Sequence, residues 1–337
     1  YTPPYIDGTL TATRIPFASD ANTLTDDADF TVDPTNNALT VNGARLLNKG
    51  TNGIKGTYYG FNAGSTTTIT NAEGFNTAFG YTALSSIIDA TSIGVLYEAS
   101  YNSAFGYQSG QSITQGLNNT LGGYRSGRLL TLSNGNTAYG SNALRTATTQ
   151  SQNSAFGYLS MQSATCAEGT AFGYNTLQLA SGSRNTAIGW GAGAKNTSGQ
   201  YNFFGGSEAG QEKTTGSNNV YLGFYSGVYA KGSSNTFIGS ESGGQASTLV
   251  TNLSGNTFFV SCQGLTNTPA NTSVSGDYNT HAGYQSGLGS TTQVSYSSAF
   301  GYRAKVYTDR SMVFGSEIDG DRVNYGFGGE SYASGVG

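Results

Sequence analysis

Charge is scarce in this chain: charged residues make up 10% of 337, against roughly 25% in an average soluble protein. The 15 lysines and arginines are scattered and the net charge is −4. Without a concentrated basic face there is nothing to neutralise a run of phosphates, so a nucleic-acid partner is not expected. No apolar stretch approaches the roughly 18 residues that a membrane-spanning helix needs, so membrane insertion is not expected. Histidine occurs once, at His281, so a serine or cysteine nucleophile with a histidine base would have to converge on that residue. The two cysteines, Cys166 and Cys262, lie far apart and without metal-ligand spacing, and read as free, partly buried thiols. No phosphate-binding loop occurs, and neither metal nor cofactor is expected. No leader pattern opens the chain, which begins at Tyr1 rather than methionine; an interior portion of a longer protein, or a processed product, is expected.

Glycine and aromatic residues are abundant instead: Gly 50, Tyr 23 and Phe 17. That much apolar surface argues against a disordered chain. The polar remainder is largely asparagine, serine and threonine, the residues of turns and stacked side-chain ladders.

A nine-residue pattern recurs along the chain, clearest as Asn-Thr-Ala-Phe-Gly-Tyr-x-Ala-Leu from Asn76 to Leu84. Fifteen copies occur, with the fifth position at Gly60, Gly80, Gly106, Gly123, Gly140, Gly157, Gly173, Gly189, Gly206, Gly223, Gly239, Val260, Gly283, Gly301 and Gly315. The commonest spacing is 16 or 17 residues, too short for a pair of helices and suited to one coil of a β-solenoid. Fifteen coils at about 4.8 Å each would give a rod on the order of 70 Å long.

Each position has a physical reading. The first is Asn in eleven copies, where stacked amides would form a hydrogen-bonded ladder. The fourth is apolar in thirteen, including Phe79, Phe105, Phe156, Phe172 and Ile188, and is expected to be core. The fifth-position glycine implies positive φ or a close backbone approach at a corner. The sixth is aromatic in ten copies, and is read as packing in preference to a sugar-stacking row. The eighth is small, marking a tight place. Strand alternation puts the second, fourth and sixth positions on one face and the first, third and fifth on the other. The second face, with its frequent alanine at the third position, is expected to be free for a partner chain.

These repeats resemble those of bacteriophage tail fibres and tail spikes, and more loosely the glycine-containing coils in trimeric autotransporter adhesin heads. The resemblance covers roughly Thr57 to Gly315. It implies an all-β parallel β-solenoid whose three chains wrap a common axis, in an extracellular fibre on the virion. That fibre would meet a host-surface glycan or protein and adjoin other tail proteins. It also implies a structural role in place of an enzymatic one. An end at Gly337 is compatible with loss of a self-cleaving C-terminal chaperone, and equally with truncation.

Residues 1–50 lack the repeat and read as a small β connector, with strands over Thr9–Phe17, Phe30–Val32 and Leu39–Val41. Residues 51–304 form the repeat shaft, and 305–337 a charged cap or tip. Three insertions, Ser85–Tyr101, Gly244–Gly255 and Leu265–Tyr278, are where binding specificity or mere bridging of imperfect coils is expected. Candidate receptor contacts are Tyr97, Glu98, Tyr101, Asp277, Tyr278, Asp319, Asp321 and Arg322. A divalent cation at Asp319 and Asp321 lacks the oxygen-rich loop that calcium needs. Glu208, Glu241 and Glu317 share the seventh position and read as solvent-facing. Glycoside hydrolysis by two carboxylates stays open as an alternative, as does a bacterial adhesin head.

Overall fold

The computed structural model describes residues 14–18, 24–33, 38–41, 44–49, 56–64, 75–87, 99–213, 215–243, 254–259, 276–289 and 294–315, the first four ranges as backbone alone. The protein is all-β, with no helix among the described residues, and its parallel strands stack as a β-solenoid. Two compact units divide the chain, Tyr1–Glu168 and Gly169–Gly337.

The first unit opens with an antiparallel meander of β1 (Arg14–Ala18), β2 (Leu24–Asp33), β3 (Ala38–Val41) and β4 (Ala44–Lys49). β4 pairs antiparallel with β5 (Gly56–Gly60), which carries the first copy of the repeat. From there every pairing is parallel, through β6 (Thr77–Phe79), β7 (Ser103–Phe105), β8 (Thr120–Gly122), β9 (Thr137–Tyr139) and β10 (Ser154–Phe156). Equivalent repeat positions face one another in register, Ala78 opposite Ala104 and Phe79 opposite Phe105.

The second unit continues the same plan through β11 (Thr170–Phe172), β12 (Thr186–Ile188), β13 (Phe203–Gly205), β14 (Val220–Leu222), β15 (Thr236–Ile238), β16 (Thr257–Phe259) and β17 (Thr280–Ala282). Two short strands, β18 (Gly287–Leu288) and β20 (Lys305–Val306), pair beside β19 (Ser298–Phe300) and β21 (Met312–Phe314). Each of the fifteen copies read from sequence thus contributes one strand, and the strands over 14–18, 24–33 and 38–41 fall close to those expected in the connector.

The expected orientation of the strands is reversed. Ala78, at the third position, is fully buried, whereas Phe79, at the fourth, is 38% exposed. The same inversion holds at Ala104 and Phe105, Ala138 and Tyr139, Ala171 and Phe172, and Ala187 and Ile188. Where the coil does take rings inside, as at Phe204, Tyr221 and Phe237, they come from the third position and not the fourth. The interior is filled from across the coil by the third, eighth, ninth and twelfth positions, as in Ala138, Ala143, Leu144 and Ala147.

In most copies the volumes at the third and ninth positions trade against each other. Ala78, Ala138, Ala155 and Ala171 go with Leu84, Leu144, Met161 and Leu177, all buried. Tyr58, Leu121, Phe204, Tyr221 and Phe237 go with Gly64, Gly127, Gly210, Gly227 and Gly243. A Cβ at Gly64, Gly127 or Gly210 would fall within 3 Å of the large side chain of its own copy. Ala104 with Gly110 and Ala187 with Gly193 are small at both positions, and there Leu84 and Leu121, or Leu177 and Phe204, of the adjoining coils take up the space, which keeps the packing dense.

The corner glycines combine both expected constraints. Gly106 has φ +129, and a Cβ there would stand 2.5 Å from the carbonyl oxygen of Gly123 in the next coil. The seventh position is left-handed even without glycine, as at Gln108 (φ 56) and Arg125 (φ 55). Its amide offsets that strain by donating to the sixth-position carbonyl of the preceding coil, Gln108 to Tyr81 and Arg125 to Tyr107, both at 2.8 Å.

The asparagine ladder forms inside the stack. Asn119 donates from its backbone (3.0 Å) and its Nδ2 (2.9 Å) to Asn102 Oδ1, and Asn136 does the same to Asn119. Asn202, Asn219, Asn235 and Asn256 repeat the arrangement in the second unit. Each buried amide is thereby satisfied by its neighbours, as desolvated polar groups require.

Candidate binding surface

Two rows of apolar side chains stand on the outside of the coils, on either side of the corner glycines. The fourth-position row runs along the strands, with Phe79 stacked on Phe105 at 5.5 Å and Tyr139 on Phe156 at 5.7 Å. The sixth-position row lies past the corner. In the first unit Phe61, Tyr81, Tyr107 and Tyr124 stack successively at 5.3, 5.1 and 5.3 Å, with planes within 13° of parallel. In the second, Trp190 stacks on Tyr174 at 5.7 Å and Tyr302 on Tyr284 at 5.8 Å. The sixth-position rings pack on one another, yet every one named here is exposed on its outer side. Faces within a ladder are covered by neighbouring rings, so an unbroken ladder offers edges, not faces.

The rows have gaps. At the fourth position Gly122 and Gly205 replace the ring, and the neighbouring coil leans in: a Cβ at Gly205 would stand 2.8 Å from Leu222 Cδ1. At the sixth position Ser141, Ser207 and Ser240 leave the row broken, the last two on either side of Phe224. Ser141 Oγ accepts from Asn142 Nδ2 at 3.2 Å.

Of the candidate contacts, Tyr101, Asp277 and Tyr278 fall among the described residues, while Tyr97, Glu98, Asp319, Asp321 and Arg322, with Glu317, lie outside them. Tyr101 and Tyr278 are exposed and occupy the left-handed position just before the repeat, with φ 59 and 58. Tyr101 stacks on Phe75 and Tyr278 on Tyr296, each at 5.1 Å. Asp277 serves the stack itself: its Oδ1 accepts the Ser254 amide at 2.8 Å, its own amide donates to Ser295 Oγ at 3.1 Å, and Ser295 donates to Asp309 Oδ1 at 2.9 Å. This is a second polar ladder, two residues before the first, and sequence reading missed it because Asp, Ser and Asn alternate there without a fixed identity.

Titratable groups also lie inside the coils. His281 is 1% exposed and stacks on Phe258 at 4.6 Å, ending an interior series of Phe204, Tyr221, Phe237 and Phe258. It replaces the usual small third-position residue, as expected, but as one ring of an aromatic stack. Burial, and then the charge of Lys305, lower its pKa to about 3. Lys305, read as part of a charged end, is itself buried. Burial raises the free thiol of Cys166 to about 11, while Cys262 lies outside the described residues.

Lys213 is fully buried at the twelfth position, where other coils carry Leu130, Ala147 or Ala180. Its Nζ donates to the carbonyls of Ala230 (3.1 Å) and Gly232 (2.9 Å). In the two preceding coils the ladder asparagine serves the equivalent carbonyl, Asn185 to Gly199 and Asn202 to Gly216. Asn219 turns instead to Ser217 O at 3.0 Å. The ammonium therefore stands in for one amide of the ladder, and burial lowers its pKa to about 7.

Glu208 and Glu241 are half-buried at the seventh position, on coils separated by the one that carries Tyr225. The Tyr225 hydroxyl donates to Glu208, and that bond raises the tyrosine pKa. Among the described residues no three potential metal-ligating side chains come together, and no helix is long and apolar enough to cross a membrane. Comparison with protein families, curated proteins and solved structures returns no match to this chain.

Proposed function

We propose that this chain is the shaft of a homotrimeric bacteriophage tail fibre or spike, which attaches the virion to a glycan or protein on the host surface. In this reading it has a structural and binding role without catalysis, lies outside the cell, and adjoins other tail proteins. The observation that carries the reading is the fourth-position row within each unit, where Tyr59, Phe79, Phe105 and Tyr139 in the first, and Phe172, Ile188 and Leu222 in the second, stand exposed along the strands. Apolar surface repeated in register on successive coils favours burial against an equivalent row. A second and a third copy of the chain supply such a row. The sequence resemblance to fibre repeats points to the same assembly.

Mass measurement in solution tests the assembly: three chains per particle support it, and a stable monomer overturns it. Replacing Phe79 and Phe105 together by serine should shift the particle towards single chains without changing the strand content. Attachment is tested by incubating the labelled fibre with candidate host cells, and the absence of binding to every surface tried would remove the attachment role.

A further inference from the structure

We propose that the gap at Ser207 is a binding slot for one neutral pyranose ring, walled by Trp190 and Phe224 and edged by the carboxylate of Glu208. The proposal rests on the attachment reading and names the chemistry of one contact site within it.

Sixth-position residues on successive coils are held in register by the seventh-position amides: Glu208 N donates to Trp190 O at 2.7 Å and Tyr225 N to Ser207 O at 3.0 Å. Ser207 therefore occupies the place of a ladder ring and brings no ring with it. Trp190 has one neighbour in the row, Tyr174, with planes 6° apart. On the side of Ser207 no ring of the row covers it, and both Trp190 and Phe224 are 49% exposed. Two coil rises, roughly 9.6 Å, separate the residues that carry the walls. In a stack missing one member, that is the room for one ring.

A slot between aromatic faces takes either a flat aromatic group or the C–H face of a sugar. The edge decides between them. Glu208 follows Ser207 directly in the chain, and its carboxylate accepts the Tyr225 hydroxyl, which ties it to the coil that carries the second wall. An ionised carboxylate is acceptor-only and retains further lone pairs. It favours a guest rich in hydroxyl donors and disfavours an acidic sugar. The Tyr225 ring, edge-on to Phe224 at 4.3 Å and 64°, braces the second wall. The matching break at Ser141 lacks this edge: its neighbour is Asn142, and Arg125 lies over the Tyr124 ring at 4.8 Å. It serves as an internal control.

Trp190 is the only tryptophan in the chain, so its fluorescence reports on the slot directly. The complete fibre is titrated with cellotriose, maltotriose and tri-N-acetylchitotriose as neutral probes, and with 3′-sialyllactose as the acidic one. A saturable change in Trp190 emission is expected with at least one neutral trisaccharide, and none with sialyllactose. Ser207→Tyr completes a row that adjoining coils already carry, so it fills the slot without demanding a new fold; it should weaken the response at least tenfold. Glu208→Gln should weaken it severalfold, and Ser141→Tyr should leave it unchanged. No response to any neutral probe overturns the slot, as does an equal response in Ser207→Tyr. An emission change that follows protein concentration without sugar overturns it too, and would assign the gap to a side chain of a second copy. Host attachment by a fibre whose Trp190 stays silent to all the sugars would sink the slot alone. A fibre that binds no host surface would sink the attachment reading, whatever Trp190 does.

Discussion

The ring of Tyr221 occupies the space that a side chain at Gly227 would need: a Cβ there would stand 2.5 Å from Tyr221 Cδ2. The two positions lie six residues apart and face each other across the coil interior. Gly227→Leu alone overfills the coil and should cost about 3 kcal/mol or more. Tyr221→Ala alone leaves a cavity and should cost about 3–5 kcal/mol. The double variant recreates the Ala171 and Leu177 arrangement of another coil, so it should recover at least half of the loss. Denaturant unfolding of all four proteins measures the coupling, and simple additivity would show that the two volumes do not trade.

Corner glycines should differ sharply from other left-handed glycines. At Gly106 both φ +129 and the Gly123 carbonyl oppose a side chain, whereas Gly135 has φ +67 and its nearest neighbour is Gln152 Cγ at 3.7 Å. Gly106→Ala should abolish folding or cost more than about 3 kcal/mol, and Gly135→Ala about 1 kcal/mol. Thermal melts of the two variants provide the comparison.

Asn119 accepts from Asn136 N and Nδ2 and donates to Asn102 Oδ1 and to Ser133 O. Asn119→Ala strands several buried partners at about 1–3 kcal/mol each. Asn142→Ala, at a half-buried corner position, should change stability by less than about 1 kcal/mol. Equal effects at the two sites would remove the ladder from the list of stabilising features.

Lys213 titrates near 7 when folded, against 10.5 as its ordinary value, because burial disfavours the charged form. The unfolded chain then binds more protons between those values, so this residue's contribution makes stability rise from pH 7 to 10.5. Below 7 the cost of burying the ammonium is present in full. The stability difference between the wild type and Lys213→Met should therefore shift towards the wild type across that window. A difference flat with pH would mean that the carbonyls of Ala230 and Gly232 hold the ammonium charged.

His281 carries the same sign of linkage into the acid range. Burial, reinforced by Lys305, lowers its pKa from 6.5 to about 3, so the unfolded chain takes up its proton first and stability falls as pH drops through that interval. His281→Phe, which preserves the stack on Phe258, should flatten this part of the acid profile. Unfolding followed between pH 6.5 and 3 decides it.

The repeat itself was legible from residues alone. A corner glycine in fourteen of fifteen copies, an asparagine column and a 16–17-residue period identify short coils, because those features arise from local backbone geometry and from identical neighbours stacking in register. Alternation in a three-residue strand likewise separates two faces. It does not say which face is inside, and reading Phe79 as core and Ala78 as surface inverted them. The interior of a coil is shared by residues from across its perimeter, so the volume available at Ala78 depends on Leu84 and Ile87, and at Tyr221 on Gly227. The sequence did carry that signal in the exchange of size between the third and ninth positions. Other features had no sequence signature: Lys213 replacing an asparagine amide, and Asp277 holding the Ser254 backbone. Each depends on residues about 17 or more positions away arriving at the same height in the stack, and only the tertiary structure decides that.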